Sequence, residues 1–476
     1  MQFIWIYFLV VLVLSGSLFL LRNKIIQHAV FIPFIALQVY FSWHIYTNID
    51  LISDEYFRVD TISGIFVVVI TILSIPTIFH SYLFARRRKE TWKLIAIHNA
   101  SLMALIAMMC GVLVTGHLAL LWAFLEATTL LSATLIYRDR SKMILEAAWK
   151  YFFVCSIGIA LAYIGIMFLA IAGKEVGDAD LTMNVLMRDI ANMNPLWLKI
   201  AFIFLISGFS VKLGVAPLFT VDIDAKDAAP THVAALFSGG MTIAGFVSIF
   251  RFYEIFSHSS IFEWMNTVLL IVGLVSVFFA TAYTIRISNY KRLLAYSSVE
   301  HAGIILIALS AGKFGYFAAI VHLICHAFIK ASLFFQLGQV FRVFRTEDQR
   351  FLGNYVSVDL FGGLILLTSY ILIVAVPPSG LGISEFLIFK SLLLNKQWYS
   401  LILMAVLLAF MFANMGRMFA RLVFLPPSET KLPRRAPNVF ESLPQMVLLG
   451  LVVWLGVNPP AEFVELVERA VFHLPR

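Results

Sequence analysis

Runs of about 20 apolar residues, each long enough to cross the ~30 Å hydrocarbon core of a bilayer, follow one another from the start of the chain almost to its end. We count about fourteen of them. In lipid a backbone N–H or C=O has no water to bond, so such runs fold as helices and the chain reads as an all-α polytopic membrane protein. Of the 476 residues 61% are hydrophobic and 13% charged, which excludes a water-soluble globule. The net charge of +8 sits in short loops between apolar runs, where it signals topology and not a nucleic-acid surface. Cys110, Cys155 and Cys325 lie inside apolar runs with no CxxC pair and no metal-ligand spacing; they read as packing residues.

The first run, Phe3 to Leu21, has no basic residue before it and no small-residue cleavage site after it, so it reads as a span and not as a cleaved signal. Arg22 and Lys24 follow it, which places the amino terminus outside. Basic clusters recur after every second span: Arg86, Arg87, Arg88 and Lys89; Arg138, Arg140 and Lys142; Arg286, Lys291 and Arg292; Arg342, Arg345 and Arg350; Lys431, Arg434 and Arg435. Alternate loops, such as Asp50 to Asp60 and Lys174 to Asn194, are acidic or mixed, and an even span count puts both termini outside. The longest loops, near Gly173 to Pro195 and Pro426 to Pro437, read as connectors.

Proline and glycine cluster within two spans, at Gly214-Val215-Ala216-Pro217 and at Pro377-Pro378-Ser379-Gly380-Leu381-Gly382. Proline has no amide to donate and glycine relaxes the backbone, so Pro217, Pro377 and Pro378 mark broken helices, tolerated where protein or a hydrated cavity surrounds them. A matching pair of breaks in two halves points to inverted repeats. The expected layout is helices 1–3 in residues 1–92, two inverted five-helix repeats in 93–255 (helices 4–8) and 262–424 (helices 9–13), and helix 14 with a tail in 438–476.

An ionised side chain near the bilayer centre costs roughly 2.5–3.5 kcal/mol even on the mildest scale. This chain has several. Glu126 sits in the middle of the fifth span, Lys150 early in the sixth, and Lys212 just before the first break. Glu300 and His301 fall in the tenth; His322, His326 and Lys330, each four residues from the next, share one face of the eleventh. Glu385 and Lys390 follow the second break. Desolvation loosens a lysine's proton and a nearby carboxylate tightens it again, so a Glu126 and Lys212 pair makes a switch, with Lys150, His322, His326 and Lys330 handing protons along. Static ion pairs that only fix packing are the bland alternative for any one of these residues. Haem is excluded, because His322 and His326 lie one turn apart and cannot clamp opposite faces. His28, His44, His80, His98, His117 and His258 read as interfacial and structural.

These residues, in this order, resemble the antiporter-like membrane subunits shared by respiratory complex I, group 4 membrane-bound hydrogenases and multisubunit cation/proton antiporters. The resemblance runs from about Trp92 to Pro459. It is carried by the Glu126 segment, Lys212-Leu213-Gly214-Val215-Ala216-Pro217-Leu218, Pro230-Thr231, Lys291-Arg292-Leu293-Leu294-Ala295-Tyr296-Ser297-Ser298, His322 to Lys330, and Ser384-Glu385-Phe386. Within the family, the stretches Ser298 to Ile304 and Trp122 to Thr129 look most like the F-type component of hydrogenase-4. The resemblance implies that Glu126 and Lys212 are the coupled pair of one half-channel and that Lys150 and Lys330 are central relay lysines. It makes His322 and His326 the eleventh-span histidines and Glu385 the outlet group. One departure stands out: the large complex I subunit carries a histidine after Pro-Thr-Pro in the eighth span, where this chain has Ser238, and the motif's second proline is His232. A serine cannot carry the charge but its hydroxyl can hold a water, so the sequence leaves the link between half-channels open. The chain also ends soon after the fourteenth span, without the long lateral helix of that large protein.

The expected function is that of a proton-translocating subunit of a redox-driven complex, hydrogenase-like or complex I-like, in a bacterial or archaeal inner membrane. Its expected partners are other integral membrane subunits and a peripheral arm bearing iron-sulfur, and in one version a NiFe hydrogenase-like, centre. No nucleotide loop, flavin fingerprint or cluster-binding cysteine set is present, so no cofactor is expected and the energy comes from partners or an ion gradient. The alternatives are a gradient-driven Na⁺/H⁺ antiporter subunit, a membrane subunit of an energy-coupled inorganic carbon uptake system, or a structural spacer.

Overall fold

The computed structural model describes every residue except 1, 89, 139–140, 178–179, 347–349, 428–436 and 476. Lys89, Arg140, Lys431, Arg434 and Arg435 of the basic clusters lie outside the described residues. Among the described residues the chain is helical throughout, with isolated bridges in place of strands. Among the described residues twelve helices are long and apolar enough to cross a membrane, and two shorter apolar helices are Gln2–Ser17 and Leu360–Ile373. Helix starts follow the sequence: the side chains of Asp60, Ser141, Asn194 and Asn289 each accept a hydrogen bond from a first-turn amide. One connector is shorter than expected. The helix Lys142–Val176 runs past Gly173, and Met183–Asp189 forms a helix of its own.

Both broken spans are present. The helix Pro195–Leu213 ends at Gly214, whose φ of +82° suits a residue without Cβ, and Thr220–Ala228 resumes after Pro217. Leu360–Ile373 ends before Pro377 and Pro378, and Gly380–Leu394 begins with Ser379 Oγ accepting from the amide of Gly382 at 3.0 Å.

The chain forms two compact units, one of Met1–Val233, Gly240–Met265 and Phe472–Leu474, the other of Ala234–Gly239 and Asn266–Val471. In the first, the helices Lys142–Val176 and Pro195–Leu213 meet backbone to backbone: a Cβ on Gly208 would lie 2.5 Å from the amide nitrogen of Ala162 and 2.6 Å from the carbonyl oxygen of Gly158. That contact fixes the helix one turn before Lys212. The loops around Phe57, Thr115, His117 and Thr182 pair with one another by single bridges. There Arg251, fully buried, forks onto Asp60 and also reaches Glu254 at 3.1 Å, while His473 Nε2 meets the other oxygen of Glu254 at 2.8 Å. Past the far end of the helix that Asp60 caps, Arg138 forks onto Glu90 at 3.2 and 2.7 Å.

In the second unit, Lys313–Phe344 is buried almost all round, against Tyr290–Ser310, Gly380–Leu394 and Leu443–Val457. The tail beyond the last span is a helix, Ala461–Val471, that buries Val467, Ala470 and Val471 and exposes Glu462, Glu465 and Glu468.

Two outcomes follow from this packing. Gly208→Val should lower the thermal stability of the purified protein by about 1–3 kcal/mol, whereas Gly450→Val, with open space at its Cβ, should not. Burial alone would raise the Asp60 carboxyl, but the Arg251 guanidinium, with Arg58 beside it, outweighs this and holds Asp60 well below the usual carboxylate range. A depressed carboxyl adds stability that is complete above its unfolded value of about 3.9 and is lost as pH falls toward its folded one. Melting curves should therefore show an acid loss that Asp60→Asn lacks. That variant should already be weaker at neutral pH, near the low end of ~3–5 kcal/mol because Glu254 still faces Arg251.

Candidate functional site

Lys212 lies in the last turn of its helix and is 2% exposed. Its Nζ donates to Thr128 Oγ1 at 3.0 Å and stands 5.6 Å from the centre of the Tyr151 ring. The Thr128 hydroxyl donates in turn to the carbonyl of Leu125 at 2.6 Å, so its oxygen is aimed to accept. Glu126, on the same Leu118–Ile136 helix, accepts from Ser156 Oγ at 2.8 Å, and its buried Oε2 has no hydrogen-bond partner among the described residues. Glu126 and Lys212 are within electrostatic reach of each other, yet each rests on a hydroxyl and no direct ion pair joins them among the described residues.

Just past the break, Asp222 and Lys226 form a buried ion pair at 2.5 Å. A Cβ on Gly214 would lie 2.9 Å from the Asp222 carboxylate, so the break residue and the acid pack directly together. Sequence reading missed this pair, although its i,i+4 spacing in Thr220–Ala228 was a usable signal. Lys150 lies apart from the cluster: its side chain is 54% exposed and ion-paired to Glu146 at 2.6 Å.

His98, read from sequence as interfacial, is buried, because its helix Trp92–Val114 is largely enclosed. Its Nε2 lies 3.1 Å from both Ser81 Oγ and His232 Nε2. His117 caps Leu118–Ile136, its Nδ1 accepting from the amide of Ala119 at 3.2 Å.

In the second unit the histidines form a chain with a direction. Ser384 Oγ donates to the carbonyl of Leu381 at 2.6 Å, so toward His322 Nδ1, 3.0 Å away, it accepts. With that hydroxyl given to Leu381, the tautomer that satisfies both contacts carries the His322 proton on Nδ1 and offers Nε2 to His301 Nδ1–H at 3.0 Å. The His326 ring centre is 5.1 Å from that of His301. Lys330 Nζ donates to the carbonyl of Leu294 at 2.7 Å. Glu300 is buried beside them, and a carboxylate oxygen of Glu385 lies within 4.8 Å of the His301 and His322 nitrogens. Lys390 stands apart, exposed, with its Nζ 4.3 Å from the centre of the Phe314 ring. Ser238 lies in a π-helical turn, Phe237–Met241, fully buried, its hydroxyl without a hydrogen-bond partner among the described residues.

Residues 115–412 match the model of the NADH:quinone oxidoreductase/Mrp antiporter transmembrane family. The chain belongs to this family. The hydrogenase-4 component F homolog of Methylacidiphilum infernorum (isolate V4) is 29% identical over 421 residues, 86% of this chain and 87% of that protein. A chain of the membrane-bound sulfane sulfur reductase, an archaeal respiratory membrane complex, superposes with a TM-score of 0.85 at 21% identity, covering 99% of this chain and 96% of that one. A chain of respiratory complex I from Thermus thermophilus gives 0.78 at 20% identity, with 95% and 97% covered. The multi-pass helical fold of this antiporter-like subunit is thus that of subunits in respiratory membrane complexes.

The Thr128 contact is open to a double-mutant cycle. Thr128→Val should destabilise the protein by about 1–3 kcal/mol because it strips a buried charge of its acceptor. In a Lys212→Met background the same change should cost much less, as read by thermal unfolding of the four proteins.

Proposed function

We propose that this antiporter-like subunit moves protons across the membrane within a redox-driven complex, hydrogenase-like or complex I-like. The carrying observation is that Lys212, Glu300, His301, His322, His326 and Lys330, all buried, and the half-buried Glu126 and Glu385 are gathered into two polar clusters inside the helical bundle. Side chains so costly to place there need a reason beyond packing, which apolar residues of the same volume serve at least as well.

In the first cluster, Glu126 and Lys212 rest on separate hydroxyls, so a small displacement changes which charge Lys212 faces and how tightly it holds its proton. Asp222 supplies a second carboxylate across the break. In the second, the chain from His301 through His322 to Ser384 has one polarity, and passing a proton along it reverses that polarity until the rings reset. Residues 93–255 and 262–424 are the two repeats that would hold these half-paths, with Lys390 at the outer edge of the second.

Lys150 takes a particular place in this scheme. Together with Glu146 it lies on the exposed face of a spanning helix beside Trp149 and Phe153. Hydrocarbon is a poor solvent for an ion pair, so a neighbouring membrane subunit covers that face, and Lys150 faces the neighbour. A peripheral iron-sulfur arm supplies the energy. The basic loops face the cytoplasm of a bacterial or archaeal cell and both termini face outward. The family description also embraces antiporters, which keeps the gradient-driven Na⁺/H⁺ reading as the competitor.

Proton uptake by vesicles carrying the complex should fall to background in Lys212→Met while assembly survives; unchanged uptake would sink the mechanism. Lys150→Met paired with Glu146→Gln should reduce co-purification of membrane partners, and undiminished recovery would remove that face from the interface.

A further inference from the structure

We propose that His301, His322 and Glu385 form a binding site for a divalent transition-metal ion of the Zn²⁺ type. One ligand atom from each, the two imidazole nitrogens and a carboxylate oxygen, lie within 4.8 Å of one another. The nitrogens, His301 Nδ1 and His322 Nε2, are 3.0 Å apart. Two bonds of about 2.0–2.1 Å at a tetrahedral zinc hold their nitrogens roughly 3.3–3.4 Å apart, so the rings need to separate by only a few tenths of an ångström. The ion takes the place of the hydrogen bond between them, the His301 proton moving from Nδ1 to Nε2 so that both ligating nitrogens present lone pairs.

The surroundings are those of a metal ligand set. His322 Nδ1–H donates to Ser384 Oγ, whose own hydroxyl is tied to the Leu381 carbonyl, which turns the Nε2 lone pair toward His301. Ligating histidines are oriented by such a bond from the far nitrogen. Ser384 precedes Glu385, so one helix turn supplies both the orienting group and the third ligand. Two imidazoles and a carboxylate with a fourth position for water suit zinc better than calcium or magnesium, which take oxygen ligands. Glu300 adds a second carboxylate within electrostatic range of Glu385, and Lys330 is the opposing cation nearby. Both histidines are buried, and Glu385, half-buried, is the least enclosed of the three.

Occupancy would open the His301–His322 hydrogen bond, so a bound ion would act as a brake on proton movement; that consequence rests on the function proposed above, whereas binding itself does not. The test uses the full chain in its native complex, titrated with Zn²⁺ against a chromophoric chelator, with zinc-edge X-ray absorption on the wild-type protein. The expected result is saturable binding, a first shell containing two imidazoles, affinity at least about tenfold weaker in His322→Gln and in Glu385→Gln, and about 10–100-fold weaker in Ser384→Ala. No saturable binding, or a first shell without two imidazoles, would overturn the site, and the absorption readout does not depend on any variant folding. Binding with proton uptake unaffected would support the site and count against the proton path instead.

Discussion

Taking an ammonium or a carboxylate out of water costs several kcal/mol per ion even after the protein relaxes, and Lys212, Lys226, Arg251 and Lys330 are all almost completely buried. Each is met by a placed acceptor: the Thr128 hydroxyl, Asp222, the Asp60 and Glu254 carboxylates, and the Leu294 carbonyl. The partners differ in kind. Arg251 is gripped by the Asp60 and Glu254 carboxylates, an arrangement that ties a helix start to a helix end. Lys212 Nζ donates to the Thr128 hydroxyl and Lys330 Nζ to the Leu294 carbonyl, oxygens that bond a lysine without fixing its proton.

Helix breaks serve the same end. A continuous helix keeps its carbonyls and amides to itself, whereas a break at Gly214 brings Asp222 against the backbone just beyond Lys212, and a break at Pro377 and Pro378 sets Ser384 and Glu385 in the opening turns of a new helix facing the histidines. Polar groups meet deep in the bundle because the main chain is interrupted where they are needed.

Much of this was legible in the sequence. Spans, breaks and intramembrane charges all announce themselves, because hydrocarbon penalises any deviation from an apolar helix; the four-residue spacing of His322, His326 and Lys330 even gave their shared face. What the sequence withheld were partners distant along the chain. That Arg251 answers Asp60, that His98 bonds His232, or that Gly208 presses on Gly158 depends on which helices become neighbours. Lys150 and Lys390 read like Lys212 in one dimension, yet the exposed side of a helix and its buried side are separated only by rotation, and packing decides between them. The pair Asp222 and Lys226 was overlooked for a simpler reason: its segment is polar enough to pass for a connector.

The central claim is that protons themselves pass through these clusters. Its most direct test is donor-driven acidification of inverted membrane vesicles bearing the intact complex, measured in rigorously sodium-free medium. Full-amplitude acidification without sodium is the predicted result. Acidification that appears only when sodium is restored, or none at all with the complex intact, would contradict the account.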